Sequence, residues 1–88
     1  MRGTKIEYTN CRYDAKKLAE WIVCYASKAG KGVTNIQLQK ILYEFQKHYF
    51  RENNVPAFSD DFEAGNLVAV IPDIYYTYCS FGYDEIKI

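Results

Sequence analysis

One histidine, one tryptophan, one methionine and two prolines are all that a chain of 88 residues holds of those types. A single histidine cannot supply the nitrogen ligands that a hydrolytic zinc centre normally takes from its protein. The cysteines Cys11, Cys24 and Cys79 are odd in number, far apart and without a Cys-x-x-Cys pair. That spacing argues against a disulfide framework or a zinc ribbon, and predicts reduced thiols in a cytoplasmic setting. No apolar run approaches the roughly 18 residues that span a bilayer. The opening Met1-Arg2-Gly3-Thr4-Lys5-Ile6-Glu7 has no apolar stretch of the secretory type, so secretion is not expected. Gly30-Lys31-Gly32 lacks the spacing of a phosphate loop. Asp60, Asp61 and Glu63 cluster acids without the twelve-residue calcium pattern. Repeats, linkers and low-complexity tracts are missing too.

The length suits one domain spanning residues 1–88, with a thin core. Aromatic residues are plentiful: nine Tyr, five Phe and one Trp. Tyrosine joins a large apolar ring to a hydroxyl that needs water or a partner. So many rings exceed what a thin core can hide, and some should line a contact surface. Net charge is zero, but its sign is split. Residues 1–51 carry ten Lys/Arg against four acids, and residues 52–88 carry one Lys against seven. Either the two halves pack and partly neutralise each other, or a basic helical face meets an acidic partner. With no positive excess, nucleic acid is not the expected partner.

Residues 4–12 alternate weakly, with Ile6 and Tyr8 on one side, and suggest a short strand or arm. The first helix is predicted from Tyr13 or Asp14 to Ala29. Its apolar stripe is Ala15, Leu18, Ala19, Ile22, Ala26 and Ala29, with Trp21 and Tyr25 beside it. Asp14 suits an N-cap or first turn, and Gly30 the left-handed stop. The second helix opens on a capping box, Thr34 with Gln37, and a hydrophobic staple, Val33 with Leu38. Its expected core stripe is Leu38, Ile41, Leu42, Phe45 and Tyr49, and Asn53-Asn54 followed by Pro56 should end it. Phe62–Ala64 and Leu67–Val70 can pair as a small hairpin around Gly65-Asn66. Pro72 at N1 and Asp73 in the first turn mark a third helix. Ile71, Ile74, Tyr75, Tyr78 and Cys79 should share a face, and Gly82 should stop the helix. The tail 84–88 alternates like a short strand. The predicted fold class is mainly α (α+β): three helices with a small β element between the second and third.

Catalytic chemistry is not expected. His48 has Glu44 and Glu52 four residues to either side, which reads as an exposed face where acids stabilise a charged imidazole. Cys24 and Cys79 read as small core-facing apolar residues and not as partners of His48 in a nucleophilic pair. No catalytic, cofactor or metal residue is assigned.

The segment Ala15 to Gly82 resembles the Panacea domain, also called the SocA-like or phage-associated GepA-like domain. The first helix has the form Ala-x-x-Leu-Ala-x-Trp-Ile. Val33-Thr34-Asn35-Ile36-Gln37-Leu38-Gln39-Lys40-Ile41-Leu42-Tyr43 is similar to that family's lTnlkLQKLlY signature. Phe45-Gln46-x-x-Tyr49, Pro56-Ala57-Phe58 with Phe62-Glu63-Ala64, and Val70-Ile71-Pro72-Asp73-Ile74-Tyr75 follow in the family's order. Gly65-Asn66-Leu67-Val68-Ala69-Val70 replaces the family's Trp-x-x-Gly-Pro-Val, and the further helices usual after the third are not in this sequence. The resemblance implies a non-enzymatic, antitoxin-like module, phage or prophage encoded, that binds and neutralises a toxin or other target protein. The alternative is a phage anti-defence protein that inhibits a host immune complex of CRISPR type. The expected contact residues are Lys40, Tyr43, Lys47, Phe50 and Arg51 on the second helix, with Tyr76 and Tyr83. A homodimer mate or another chain is expected to cover the exposed side of the core.

Overall fold

The computed structural model describes residues 11–87. The described residues form three helices, α1 (Ala15–Lys28), α2 (Asn35–Asn53) and α3 (Pro72–Thr77), with a two-stranded antiparallel sheet between the second and third in chain order. Its strands are β1 (Glu63–Ala64) and β2 (Ala69–Val70), with Glu63 opposite Val70 and Ala64 opposite Ala69. A 3-10 turn, Cys79–Phe81, follows α3. The alternation at residues 4–10, including Ile6 and Tyr8, lies outside the described residues.

Local chemistry sets the helix ends. The Asp14 side chain accepts the Lys16 amide at 3.2 Å and caps α1. At the other end the Lys31 amide donates to the Ala26 carbonyl and the Gly30 amide to that of Ser27. That is the Schellman pattern, and it places Gly30 at φ 82°, where glycine has no Cβ penalty. The α2 capping box is complete: Thr34 Oγ1 accepts the Gln37 amide, and Gln37 Oε1 accepts the Thr34 amide. Asn54 ends α2 in the left-handed conformation, with φ 61°. Pro72 occupies the first turn of α3, where its missing N–H costs nothing. At the hairpin tip the Gly65 amide donates to the Val68 carbonyl, and a Cβ on Gly65 would sit 2.5 Å from that oxygen.

The core gathers Ala15, Ala19 and Val23 from α1, Leu38 and Leu42 from α2, and Ala57 and Phe58 from the connecting loop. Ile71, Ile74, Tyr78 and Ile86 close it. Burial pushes the Tyr78 hydroxyl above the ordinary tyrosine range, and Glu20 and Cys24 add to the shift. Ile86 is held through its amide, which donates to the Val33 carbonyl at 2.8 Å. The tail therefore joins the fold by one bridge, Thr34 with Glu85, and not by a continuous strand.

Several sequence expectations are corrected. The buried side of α1 is turned toward Val23, which leaves Ala29 exposed. Ile41 is 40% exposed, because α3 and the hairpin pack on the opposite flank of α2. Cys24 and Cys79 are exposed, as is Tyr75. Among the described residues the one ion pair is Lys47–Glu44, within α2 itself. The basic and acidic halves are thus joined by apolar packing and amide hydrogen bonds, with no direct ion pair between them among those residues.

Candidate protein-interaction surface

Three polar side chains of α2 lock the connecting segments in place. Gln39 is fully buried; its Oε1 accepts the Ile71 amide at 2.9 Å and its Nε2 donates to Asn35 Oδ1 at 3.2 Å. Asn35 Nδ2 in turn donates to the Tyr75 carbonyl at 2.9 Å. Gln46 works two turns further on: Oε1 accepts the Ala57 amide at 2.7 Å, and Nε2 donates to the Phe58 carbonyl at 2.9 Å. The Ala57 carbonyl accepts the Tyr13 amide, so this one loop residue ties the approach to α1 onto α2. No buried side-chain nitrogen or oxygen among the described residues lacks a partner. Satisfied amides at such positions stiffen the frame, since each would be costly to leave unpaired.

That frame holds α2 with one flank inward and one outward. The outward flank carries Lys40, Tyr43, Lys47, Phe50 and Arg51, all exposed. Tyr43, Lys47 and Phe50 line a cavity of about 290 Å³ whose other walls are Gln46, Pro56 and Phe62. The Tyr43 ring meets Phe62 edge-on at 5.3 Å, and Lys47 Nζ lies 5.6 Å from the Tyr43 ring centre. Lys47 also pairs with Glu44 at 3.7 Å. The cavity is therefore an apolar slot with a cation at its lip. Lys40 and Arg51 flank it on the same helix.

Tyr76 and Tyr83 belong to a different place. They line a groove of about 430 Å³ with Ile36, Pro72, Tyr75 and the hairpin residues from Glu63 to Val70. Tyr76 is 69% exposed and Tyr83 83%. The seven expected contact residues thus fall on two surfaces, with the hairpin contributing Phe62 to one and its strands and tip to the other.

Sequence reasoning missed three contributors to the slot: Gln46, Pro56 and Phe62. Gln46 carried a signal. Asn35, Gln39, Leu42 and Gln46 recur at four-, three- and four-residue steps with no Lys or Glu among them, which marks a row meant for an interface and not for water. Also unassigned was the pair Trp21 and Tyr25. Their rings stack at 5.2 Å and 12°, both more than 60% exposed, on the outer face of α1.

His48 is exposed on α2. Among the described residues no three His, Cys, Asp or Glu side chains converge. No helix among them is long and apolar enough to cross a membrane. No known family model, curated protein or solved structure matches the chain.

Proposed function

We propose that the chain is a non-enzymatic protein-binding module of antitoxin type, phage or prophage encoded and cytoplasmic, that neutralises a target protein by seating it on the outward flank of α2. The observation that supports this reading most directly is the slot itself. Tyr43 and Phe50 leave large ring surface in water beside Lys47 and a second wall made by Pro56 and Phe62. A soluble chain normally hides such surface unless a partner covers it. Ring residues and a flanking cation are the types that dominate binding at protein interfaces. The resemblance of the α2 segment to the Panacea signature points the same way.

The test starts from affinity capture by the tagged chain in its native host, with mass spectrometry to identify the target. The captured protein is then titrated against the wild type and against Tyr43→Ala combined with Lys47→Glu. The double variant should bind at least about tenfold more weakly while keeping its far-ultraviolet circular dichroism, as truncation of an interface anchor does. Unchanged affinity would overturn the placement on α2. A captured toxin supports the antitoxin role, and a captured subunit of a host defence complex replaces it with an anti-defence role.

A further inference from the structure

The outward flank of α2 has a register. Ile36, Tyr43 and Phe50 stand seven residues apart, and Lys40 and Lys47 fall between them, also seven apart. The steps along the row are four, three, four, three, the spacing with which one helix meets another knobs-into-holes. Written as a heptad, the apolar residues occupy d and the lysines occupy a. Arg51 and Glu44 sit at the neighbouring e positions. The row runs for about 21 Å, at 1.5 Å per residue. It borders both cavities, since Ile36 lines the groove that holds Tyr76 and Tyr83, and Tyr43, Lys47 and Phe50 line the slot. Its backbone groups are spent inside the helix, so an added strand finds no hydrogen-bonding edge there.

Charge selects among the helices that could lie on such a seam. A second copy of this chain in parallel would set Lys40 and Lys47 against their own equivalents, and like charges at facing positions repel. A helix with acids at those positions would pair them instead. Among the described residues neither Lys40 nor Arg51 has an ion-pair partner within 4.0 Å. Lys47 has only Glu44, in an exposed pair that water and salt weaken and a partner carboxylate could replace. The slot beside Phe50, at about 290 Å³, has room for one large apolar side chain.

We propose that the occupant of this surface is an amphipathic α-helix of the partner protein, apolar along one stripe and acidic at the positions facing Lys40 and Lys47, with one bulky apolar anchor in the slot walled by Phe50, Pro56 and Phe62. This rests on the protein-binding role proposed above and adds the chemistry of the partner.

The probe is a three-heptad synthetic helix with Glu at a and Leu at d, compared with the same peptide carrying Lys at a and with a disordered poly-glutamate of equal charge. Binding to the full chain is read by fluorescence anisotropy at low and high salt. The acidic helix should bind at least about tenfold more tightly than either control, and the margin should shrink as salt rises. Lys40→Glu combined with Lys47→Glu should invert the preference toward the Lys peptide, a gain that misfolding cannot produce. Phe50→Ala should weaken the acidic peptide without inverting anything. Binding of no peptide, equal binding of poly-glutamate, or a charge swap that fails to invert the preference would overturn the inference. So would a chain that self-associates through α2 and sheds the peptide as its own concentration rises. If the peptides fail while the captured target still depends on Tyr43 and Lys47, the binding role stands and only the acidic-helix partner falls.

Discussion

Gln39 and Ile71, thirty-two residues apart, share a buried hydrogen bond of 2.9 Å in which the side-chain amide oxygen of α2 takes the backbone N–H at the threshold of α3. The bond does what a continued sheet would otherwise do: it satisfies the donor at the point where β2 ends and α3 begins. Because Gln39 also donates to Asn35, and Asn35 to the Tyr75 carbonyl, α3 is hung on α2 by one connected amide network. A helix of six residues has little stability of its own, so its position depends on these contacts and on Ile74 in the core.

Replacing that amide by a shape-matched apolar group should therefore be costly. Gln39→Leu leaves the Ile71 N–H and the Asn35 side-chain oxygen Oδ1 buried without these partners, a loss of about 2 kcal/mol. In a domain of this size that corresponds to a fall in Tm of roughly 8–16 °C. Thermal unfolding followed by circular dichroism checks it. A change within a degree or two would show that water reaches the site and replaces the bond.

Gln46 makes a separable prediction. Its amide holds both the Ala57 N–H and the Phe58 carbonyl, so Gln46→Ala should free the loop that carries Pro56, one wall of the slot. Stability should drop by about 1–2 kcal/mol, and the Ala57 amide should exchange with solvent much faster. Hydrogen exchange by NMR reads the second effect residue by residue. Retained protection at Ala57 would mean that its core burial alone holds the loop.

The sequence made α2 legible because its start is decided locally. Thr34, Gln37, Val33 and Leu38 sit within one turn of each other and need nothing distant to form their cap. The outward placement of Lys40, Tyr43, Lys47, Phe50 and Arg51 followed from the same periodicity. Ile41 was assigned inward because the helical period alone admits a broad apolar arc; which edge of that arc is covered depends on where α3 and the hairpin land. Cys24 and Cys79 were misplaced for a related reason, since a small thiol fits core and surface equally by pattern. Gln39 and Gln46 were given no role from the sequence, because the backbone segment each meets lies more than ten residues away along the chain. The division of the expected contact residues between two grooves could not be read either, because it is made by a hairpin whose strands are two residues long.

The thiols give a direct chemical check on the corrected burial. Cys24 and Cys79 are exposed, whereas Cys11 is half-buried, with its pKa raised first by burial and then by the nearby Asp60 charge. The thiolate is the reactive form, so raising the pKa slows reaction at neutral pH. A disulfide-exchange reagent such as DTNB should label Cys24 and Cys79 in a fast phase and Cys11 in a slow one. Cys11→Ser should remove the slow phase alone. Three equal rates in the folded chain would contradict the assignment.

Asp60 should contribute to the dependence of stability on pH. Its pKa is raised by burial first, then by Asp14 and Asp73; a backbone hydrogen bond and Lys16 oppose the shift. A carboxyl whose folded pKa lies above its unfolded value holds its proton more tightly when folded. Its stabilising contribution is then complete below the unfolded value and is lost as pH rises through the folded value. At neutral pH the ionised carboxylate is a burden on the fold. Asp60→Asn removes that burden, and should raise Tm at pH 7 while the gain over wild type shrinks as the pH falls toward the ordinary aspartate range. Lys16→Ala should act oppositely, because it removes a nearby cation that favours the charged form, and its cost should fade over the same acid range. Paired melting curves across pH 3 to 7 for the wild type and both variants measure this. An Asp60→Asn advantage that stays constant down to the acid end would assign the effect to packing and not to the proton.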